Sequence, residues 1–184
     1  MNAGALTLSI PNLITLGRIL LVPVVVWAIA SGAMLPAFLL FLAAGVSDAV
    51  DGFLAKRFGM TSELGKYLDP LADKVLIVSI YVSLGINEAL PRWLVILVVS
   101  RDLLIVGGVM FSWVIGKPVN VRPHIVSKLN TAAQLLLVAL ALAALGLGFD
   151  PGMALTLLMV LVATLTLASV AIYLREWVQH MGTP

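Results

Sequence analysis

The sequence predicts an all-α integral membrane protein: a six-transmembrane-helix bundle with an N-terminal interfacial segment. Of the 184 residues, 61% are hydrophobic and only 11% are charged. A soluble domain carries about 25% charged residues, so this chain has too few charges to cover a water-facing surface. The mean hydropathy is +1.12. The apolar residues form continuous blocks, and a membrane-spanning helix needs roughly 20 of them.

Six candidate spans are separated by Gly, Pro and charged residues. In chain order they are Leu13–Ala30, Leu35–Ala55, Leu71–Ile86, Trp93–Ile115, Thr131–Leu147 and Met153–Leu174. The stretch Leu6–Ile14 is expected to lie at the membrane interface and to lead into the first span. No internal repeat or low-complexity linker is visible, which predicts a single membrane domain over residues 1–184.

The basic residues predict the orientation in the membrane, because cytoplasmic loops carry an excess of Lys and Arg. With a cytoplasmic N-terminus, the inner side receives Lys56, Arg57, Lys66, Lys74, Lys117, Arg122, Lys128 and Arg175. The outer loops hold only Arg92. We therefore expect both termini in the cytoplasm, with a bacterial inner membrane as the location. The net charge of +2 does not suggest a nucleic-acid partner.

Four acidic residues stand out between the second and third spans. Asp48 and Asp51 are three residues apart, and Asp69 and Asp73 are four apart, so each pair shares one helical face. The loop between them contains glycines that allow the two pairs to face each other. Four Asp in membrane helices cost about 10–14 kcal/mol on insertion scales, so compensating cations are expected.

Oxygen ligands without any Cys or nearby His favour Mg²⁺ or Mn²⁺, and four carboxylates suffice for two bridged metal ions. The small residues Gly52 and Ala55 leave space for a ligand beside such metals, or merely allow close helix packing.

An alternative for the acids is that they cap helices or pair with lysines. A different class, a transporter or proton relay, also uses intramembrane acids, but it would show repeat symmetry. A structural scaffold would leave the acids unexplained.

The segment resembles a known family signature. The spacing D-x2-D-G-x2-A-R followed by G-x3-D-x3-D is similar to that of the CDP-alcohol phosphatidyltransferases. The matching residues are Asp48, Asp51, Gly52, Ala55, Gly65, Asp69 and Asp73. Lys56 departs from the usual Arg, which keeps the charge but loses bidentate phosphate binding. The resemblance implies a six-helix membrane bundle that is usually a homodimer.

The resemblance also implies roles for individual residues. Asp48 and Asp69 would bridge both divalent cations, Asp51 would hold one, and Asp73 would hold the other and act as the general base. The expected contacts to CDP-diacylglycerol are Asn12, Thr15, Asp48, Gly52, Ala55, Lys56, Ser62 and Gly65. Asn12 and Thr15 belong to a Pro-Asn stretch that is also an ordinary start of a helix.

Within the family, the sequence is most similar to eukaryotic-type cardiolipin synthases. The similarity is carried by Ser100-Arg101-Asp102-Leu103, Pro123, the run from Ser127 to Thr131, and Gln134. It implies phosphatidyl transfer from CDP-diacylglycerol to phosphatidylglycerol with release of CMP. The alternative is a phosphatidylglycerophosphate synthase, which uses glycerol 3-phosphate as the acceptor.

Either acceptor carries a phosphate, so a basic subsite is expected. Arg101, Lys128 and Arg18 are the candidates. Each has a plainer alternative: Arg101 would pair with neighbouring Asp102, Lys128 would be a positive-inside anchor, and Arg18 would extend to the interface.

Overall fold

In the computed structural model of the protein, the described residues form six α-helices and no strand. The description covers the backbone of residues 10–58, 63–114 and 125–182, and the side chains of 14–50, 72–108 and 125–179. The helices are α1 (Ile10–Ala30), α2 (Met34–Phe58), α3 (Glu63–Ile86), α4 (Arg92–Val114), α5 (Ile125–Leu147) and α6 (Gly152–Gly182). The all-α prediction is confirmed for this part of the chain.

The helices extend beyond the predicted spans, mainly where the flanking residues are polar. α3 begins at Glu63 rather than Leu71, and α5 begins at Ile125 rather than Thr131. α1 begins at Ile10, inside the stretch expected at the interface. The hydrogen bonds of a helix join backbone groups and need no apolar side chains. A helix therefore continues past the apolar block that reveals it in the sequence.

Contacts between residues divide the chain into two units. The first unit comprises residues 1–87 and 142–149, and the second comprises residues 88–141 and 150–184. In the first unit, α1 packs against both α2 and α3. In the second unit, α4 packs against α6. Because α1 touches two helices of its unit, its buried face can contact groups from both of them.

The buried face of α1 is partly polar, and its exposed face is apolar. Its buried residues recur every three or four positions, which places them along one face. They are Thr15, Arg18, Val22, Val25, Ala28 and Ile29. The large apolar side chains exposed on the same helix are Leu16, Leu20, Val24 and Trp27. An arginine inside with leucines outside is the reverse of a soluble helix and is expected where lipid is the solvent.

α1 ends at a glycine that adopts a left-handed conformation. Gly32 has φ = 73°, a region that costs an L-residue with a side chain more than it costs glycine. The Gly32 N–H donates to the Ile29 carbonyl, and the Ala33 N–H donates to the Ala28 carbonyl. This pair of bonds is the Schellman motif, which satisfies carbonyls at a helix end. The turn leads directly into α2.

A second glycine of the first unit allows two backbones to meet. A Cβ atom added to Gly146, near the end of α5, would lie 2.8 Å from both the N and the Cα of Leu35 in α2. Real Cβ atoms do not approach backbone atoms so closely. The end of α5 and the start of α2 therefore pack at a separation that only glycine permits.

The second unit has a polar interior along α5 and α6. Asn130 and Gln134 of α5 and Thr166 and Ser169 of α6 are all buried. The Thr166 hydroxyl donates to the Asn130 side-chain carbonyl over 3.0 Å. In lipid, the apolar surfaces of helices are already out of water, so burying them against each other gives no hydrophobic driving force. Hydrogen bonds between helices are therefore a common means of association there.

Two of the described helices are long and apolar enough to cross a membrane. They are Ile125–Leu147 and Gly152–Gln179, with mean hydropathies of 1.9 and 2.5. Ile14–Ala30 and Met34–Val50 are apolar but shorter within the described side chains. The described part of the chain thus contains six helices, and two of them have the length and hydropathy of a membrane span.

Candidate active site

Two of the four predicted metal ligands meet at one arginine of the first unit. Nη1 of Arg18 in α1 lies 2.8 Å from Oδ1 of Asp48 in α2. The same nitrogen donates to Oδ1 of Asp73 in α3. Since both oxygens contact a single nitrogen, the two carboxylates must lie close together. The packing of α1 against both α2 and α3 produces this arrangement.

The three side chains differ in their exposure to solvent. The Arg18 side chain is 1% exposed, whereas those of Asp48 and Asp73 are 49% and 41% exposed. A buried cation is expensive unless it is paired, and here two anions compensate it. Both carboxylates are thus partly exposed, whereas the guanidinium that they share is buried.

The other two predicted ligands occupy the same two helices. α2 contains Asp51 as well as Asp48, and α3 contains Asp69 as well as Asp73. Both acid pairs therefore lie on helical backbone, as the prediction of shared faces requires. The side chains of Asp51 and Asp69 lie outside the described residues. Among the side chains of 14–50, 72–108 and 125–179, no group of three or more acids or histidines could hold a metal ion.

The described donors fit a hard divalent cation. Asp48 and Asp73 offer only carboxylate oxygens, the ligands that Mg²⁺ and Mn²⁺ prefer. Arg18 carries one positive charge against these two negative ones, so the three groups together remain anionic. Asp51 and Asp69 add two further acids to the same helices. The same helices also carry basic residues that offset part of this negative charge, namely Lys56, Arg57, Lys66 and Lys74.

The predicted contacts to the CDP-lipid fall mostly outside the described side chains. Thr15 is described and fully buried, one turn before Arg18 on the same face of α1. The predicted residues whose side chains lie outside the described part are Asn12, Gly52, Ala55, Lys56 and Gly65. Ser62 lies outside the described residues altogether.

Arg101, predicted to bind the acceptor phosphate, lies inside the second unit and joins three helices. It is 2% exposed. Its Nε and Nη2 atoms donate to the Ser169 hydroxyl of α6 over 3.2 and 3.0 Å. Nη2 also donates to the Ser127 hydroxyl of α5, and Nη1 pairs with the adjacent Asp102. The guanidinium carbon lies 5.9 Å from the ring centre of Tyr173. These contacts support the structural alternative for Arg101.

The partners of Arg101 in α6 were missed in the sequence. A signal was available, because Thr166, Ser169 and Tyr173 recur at helical spacing within an otherwise apolar segment. The contact between Arg18 and the acids was also missed. The sequence does not reveal this contact, because it does not say which helices are neighbours. Lys128, the third predicted basic residue, is exposed near the start of α5.

Comparison with known proteins first gives the class of enzyme. A sequence model of the CDP-alcohol phosphatidyltransferase family matches residues 8–178, which is most of the chain. Members of this family act on CDP-alcohols and lipids in phospholipid biosynthesis, and they generally use divalent metal ions.

Individual relatives agree with that class. A chloroplastic CDP-diacylglycerol–glycerol-3-phosphate 3-phosphatidyltransferase 1 from Oryza sativa is 42% identical over 72% of this chain and 45% of its own length. A human cardiolipin synthase (CMP-forming) is 36% identical over 71% of this chain and 49% of its own. The CDP-diacylglycerol–glycerol-3-phosphate 3-phosphatidyltransferase of Bacillus subtilis is 30% identical over 71% and 75%. The chain thus spans about half the length of the first two relatives. It belongs to the CDP-alcohol phosphatidyltransferase family.

Proposed function

We propose that the protein transfers the phosphatidyl group of CDP-diacylglycerol to a glycerol hydroxyl of a phosphate-bearing acceptor and releases CMP. One observation carries this proposal: Asp48 and Asp73, from two different helices, meet at a common point. These are the first and last acids of the signature that the sequence shares with the family. Family membership also favours an enzyme over a transporter or proton relay.

The acids would hold two divalent cations, Mg²⁺ or Mn²⁺. Asp48 and Asp69 would serve both ions, Asp51 would hold one, and Asp73 would hold the other. When bound, such ions neutralise the charge on the diphosphate and on the departing CMP. The proposal is supported by the oxygen-only donors of Asp48 and Asp73 and by the contact of both acids with one arginine.

Asp73 is proposed as the general base of the transfer. Its carboxylate would accept the proton of the acceptor hydroxyl as that oxygen bonds to the lipid-side phosphorus. The bond from that phosphorus to the bridging oxygen breaks, and CMP leaves with the electron pair. The Asp73 side chain is 41% exposed, which is consistent with access by an acceptor and with later loss of the proton to water.

The remaining predicted residues would orient the substrates. Asn12, Thr15, Gly52, Ala55, Lys56, Ser62 and Gly65 are proposed to contact the CDP-lipid beside the acids. Arg101, Lys128 and Arg18 stay candidates for the acceptor phosphate. The contacts of Arg101 with Ser127 and Ser169 suggest that it serves the acceptor partly by positioning α5, whose exposed Lys128 follows Ser127 directly.

The first candidate acceptor is phosphatidylglycerol, which makes the product cardiolipin. It is supported by the Ser100-Arg101-Asp102-Leu103 segment, by the run from Ser127 to Thr131, and by the similarity to the human cardiolipin synthase. The second candidate is glycerol 3-phosphate. It is favoured by the 42% identity to the rice enzyme, whose name specifies that acceptor. The two candidates are equally supported.

An acceptor assay separates these candidates. Purified protein would be given CDP-diacylglycerol with Mg²⁺ or Mn²⁺ and either phosphatidylglycerol or glycerol 3-phosphate, and both CMP and lipid would be measured. Cardiolipin from phosphatidylglycerol supports the first candidate, and phosphatidylglycerophosphate from glycerol 3-phosphate supports the second. Failure to release CMP with either acceptor in the presence of Mg²⁺ or Mn²⁺ would contradict the proposed reaction.

We further propose that all six helices form one membrane domain, with the acids at the cytoplasmic side of a bacterial inner membrane and a homodimer as the working form. Support comes from the exposed apolar face and polar buried face of α1, from the basic inner loops, and from the single family match across both units.

A further inference from the structure

Arg18 contacts both acids through one nitrogen atom. Its Nη1 is bonded to Oδ1 of Asp48 and to Oδ1 of Asp73, and its side chain is 1% exposed. Because the Arg18 side chain is almost wholly buried, it offers little surface to an acceptor phosphate. The contacts therefore indicate a role toward the acids themselves.

Without a cation between them, two neighbouring carboxylates at the edge of a membrane repel each other. Arg18 supplies that cation from within α1, where its own side chain is buried. A divalent ion that binds the same oxygens then meets a positive charge close by. The two cations compete for the same carboxylates.

We propose that Arg18 is a built-in cation that holds Asp48 and Asp73 together when no metal is bound, and that it lowers the metal affinity of the site. The proposal rests on the proposed function, in which these acids are metal ligands. Arg18 acts here as a positioning residue. It keeps the metal-free site assembled at the expense of tight metal binding.

The test compares Mn²⁺ binding with thermal stability in R18M, R18K and the wild type. Binding is followed by the loss of the electron paramagnetic resonance signal of free Mn²⁺, and stability by thermal unfolding in EDTA and in Mn²⁺. R18M removes the competing charge, so its Kd for Mn²⁺ should fall about tenfold or more. Its melting temperature should fall most in EDTA, so that the rise on adding Mn²⁺ exceeds the wild-type rise by about twofold or more.

R18K separates charge from the shape of the side chain. It keeps a single nitrogen cation on a shorter side chain, so its Mn²⁺ affinity should lie between those of the wild type and R18M. The matched control is R92M, which removes an arginine from an exposed ion pair with Glu88. R92M should match the wild type in both measurements.

The outcomes distinguish the two proposals. If the wild type binds no Mn²⁺, the proposed metal site itself is wrong. If the wild type binds Mn²⁺ and R18M binds it no more tightly, while losing equal stability with and without metal, Arg18 has only a structural role and this inference is wrong. If R18M cannot be recovered in either condition, R18K decides: Mn²⁺ affinity tighter than that of the wild type supports the inference, and weaker affinity contradicts it.

Discussion

Each unit contains a buried arginine that links its own helix to two others. Arg18 of α1 pairs with acids of α2 and α3, and Arg101 of α4 binds hydroxyls of α5 and α6. The sequence predicted that both would matter, because an arginine inside an apolar helix is expensive. It did not identify their partners, because those lie on helices far away in the chain.

Asp73→Asn tests the proposed base. Asparagine keeps an oxygen that can accept a hydrogen bond from Arg18, so the fold should survive, but the amide cannot take up a proton. CMP release should fall by about 10²-fold or more with either acceptor. Thermal unfolding in EDTA would verify that the variant is folded, and the exposed Glu88→Gln serves as a control with unchanged turnover. Turnover near the wild-type rate would show that Asp73 is not the base.

Arg101→Met tests the contacts that join α4 to α5 and α6. The change removes the hydrogen bonds to Ser127 and Ser169 and takes the cation away from Asp102, which is buried. Breaking a buried ion pair on one side costs about 3–5 kcal/mol, so a large loss of thermal stability is expected. Arg175→Met, at an exposed position of α6, should change the melting temperature little. Equal melting temperatures for the two variants would contradict the structural role of Arg101.

At the scale of the helices, hydropathy located each element but not its full length. The first turns of α5 contain Ser127, Lys128 and Asn130, which interrupt the apolar pattern although the backbone is already helical. Sequence spacing also placed both acid pairs on helical backbone. It could not show that α1 packs against both α2 and α3, because local patterns carry no information on which helices are neighbours.

Gly146→Ala tests the close packing of α5 against α2. The added methyl group would lie 2.8 Å from backbone atoms of Leu35, which cannot rotate away, so the helices must separate. A loss of about 1–3 kcal/mol is expected. Gly45→Ala is the matched control, since its Cβ would meet nothing within 4 Å and alanine favours the helix. A G146A variant as stable as G45A would contradict this packing.

At the scale of the whole molecule, the composition predicted a membrane protein, and two described helices have the length and hydropathy to span one. The remaining spans stay a proposal. The composition indicates that the protein surface suits a membrane. The number of helices alone does not show which of them cross the bilayer.

The absence of cysteine allows the proposed orientation to be tested directly. Single cysteines would be introduced in intact cells as D150C, in the loop between α5 and α6, and as Q179C, near the end of α6. A membrane-impermeant maleimide should label D150C from outside and should label Q179C only after the cells are permeabilised. The reverse pattern would contradict a cytoplasmic location of the C-terminus.

The polar interior of the second unit has a consequence for handling the protein. Among the described side chains of α6, the buried ones are Val162, Thr166 and Ser169. The helix is therefore held mainly by the hydrogen bond that Thr166 donates to Asn130 and by those that Ser169 accepts from Arg101, rather than by the expulsion of water. Detergent chains can replace the apolar neighbours of such a helix without penalty, but they cannot replace its hydroxyl partners. Short-chain or charged detergents that reach those groups should therefore release α6 before the rest of the unit unfolds, and mild non-ionic micelles should preserve it.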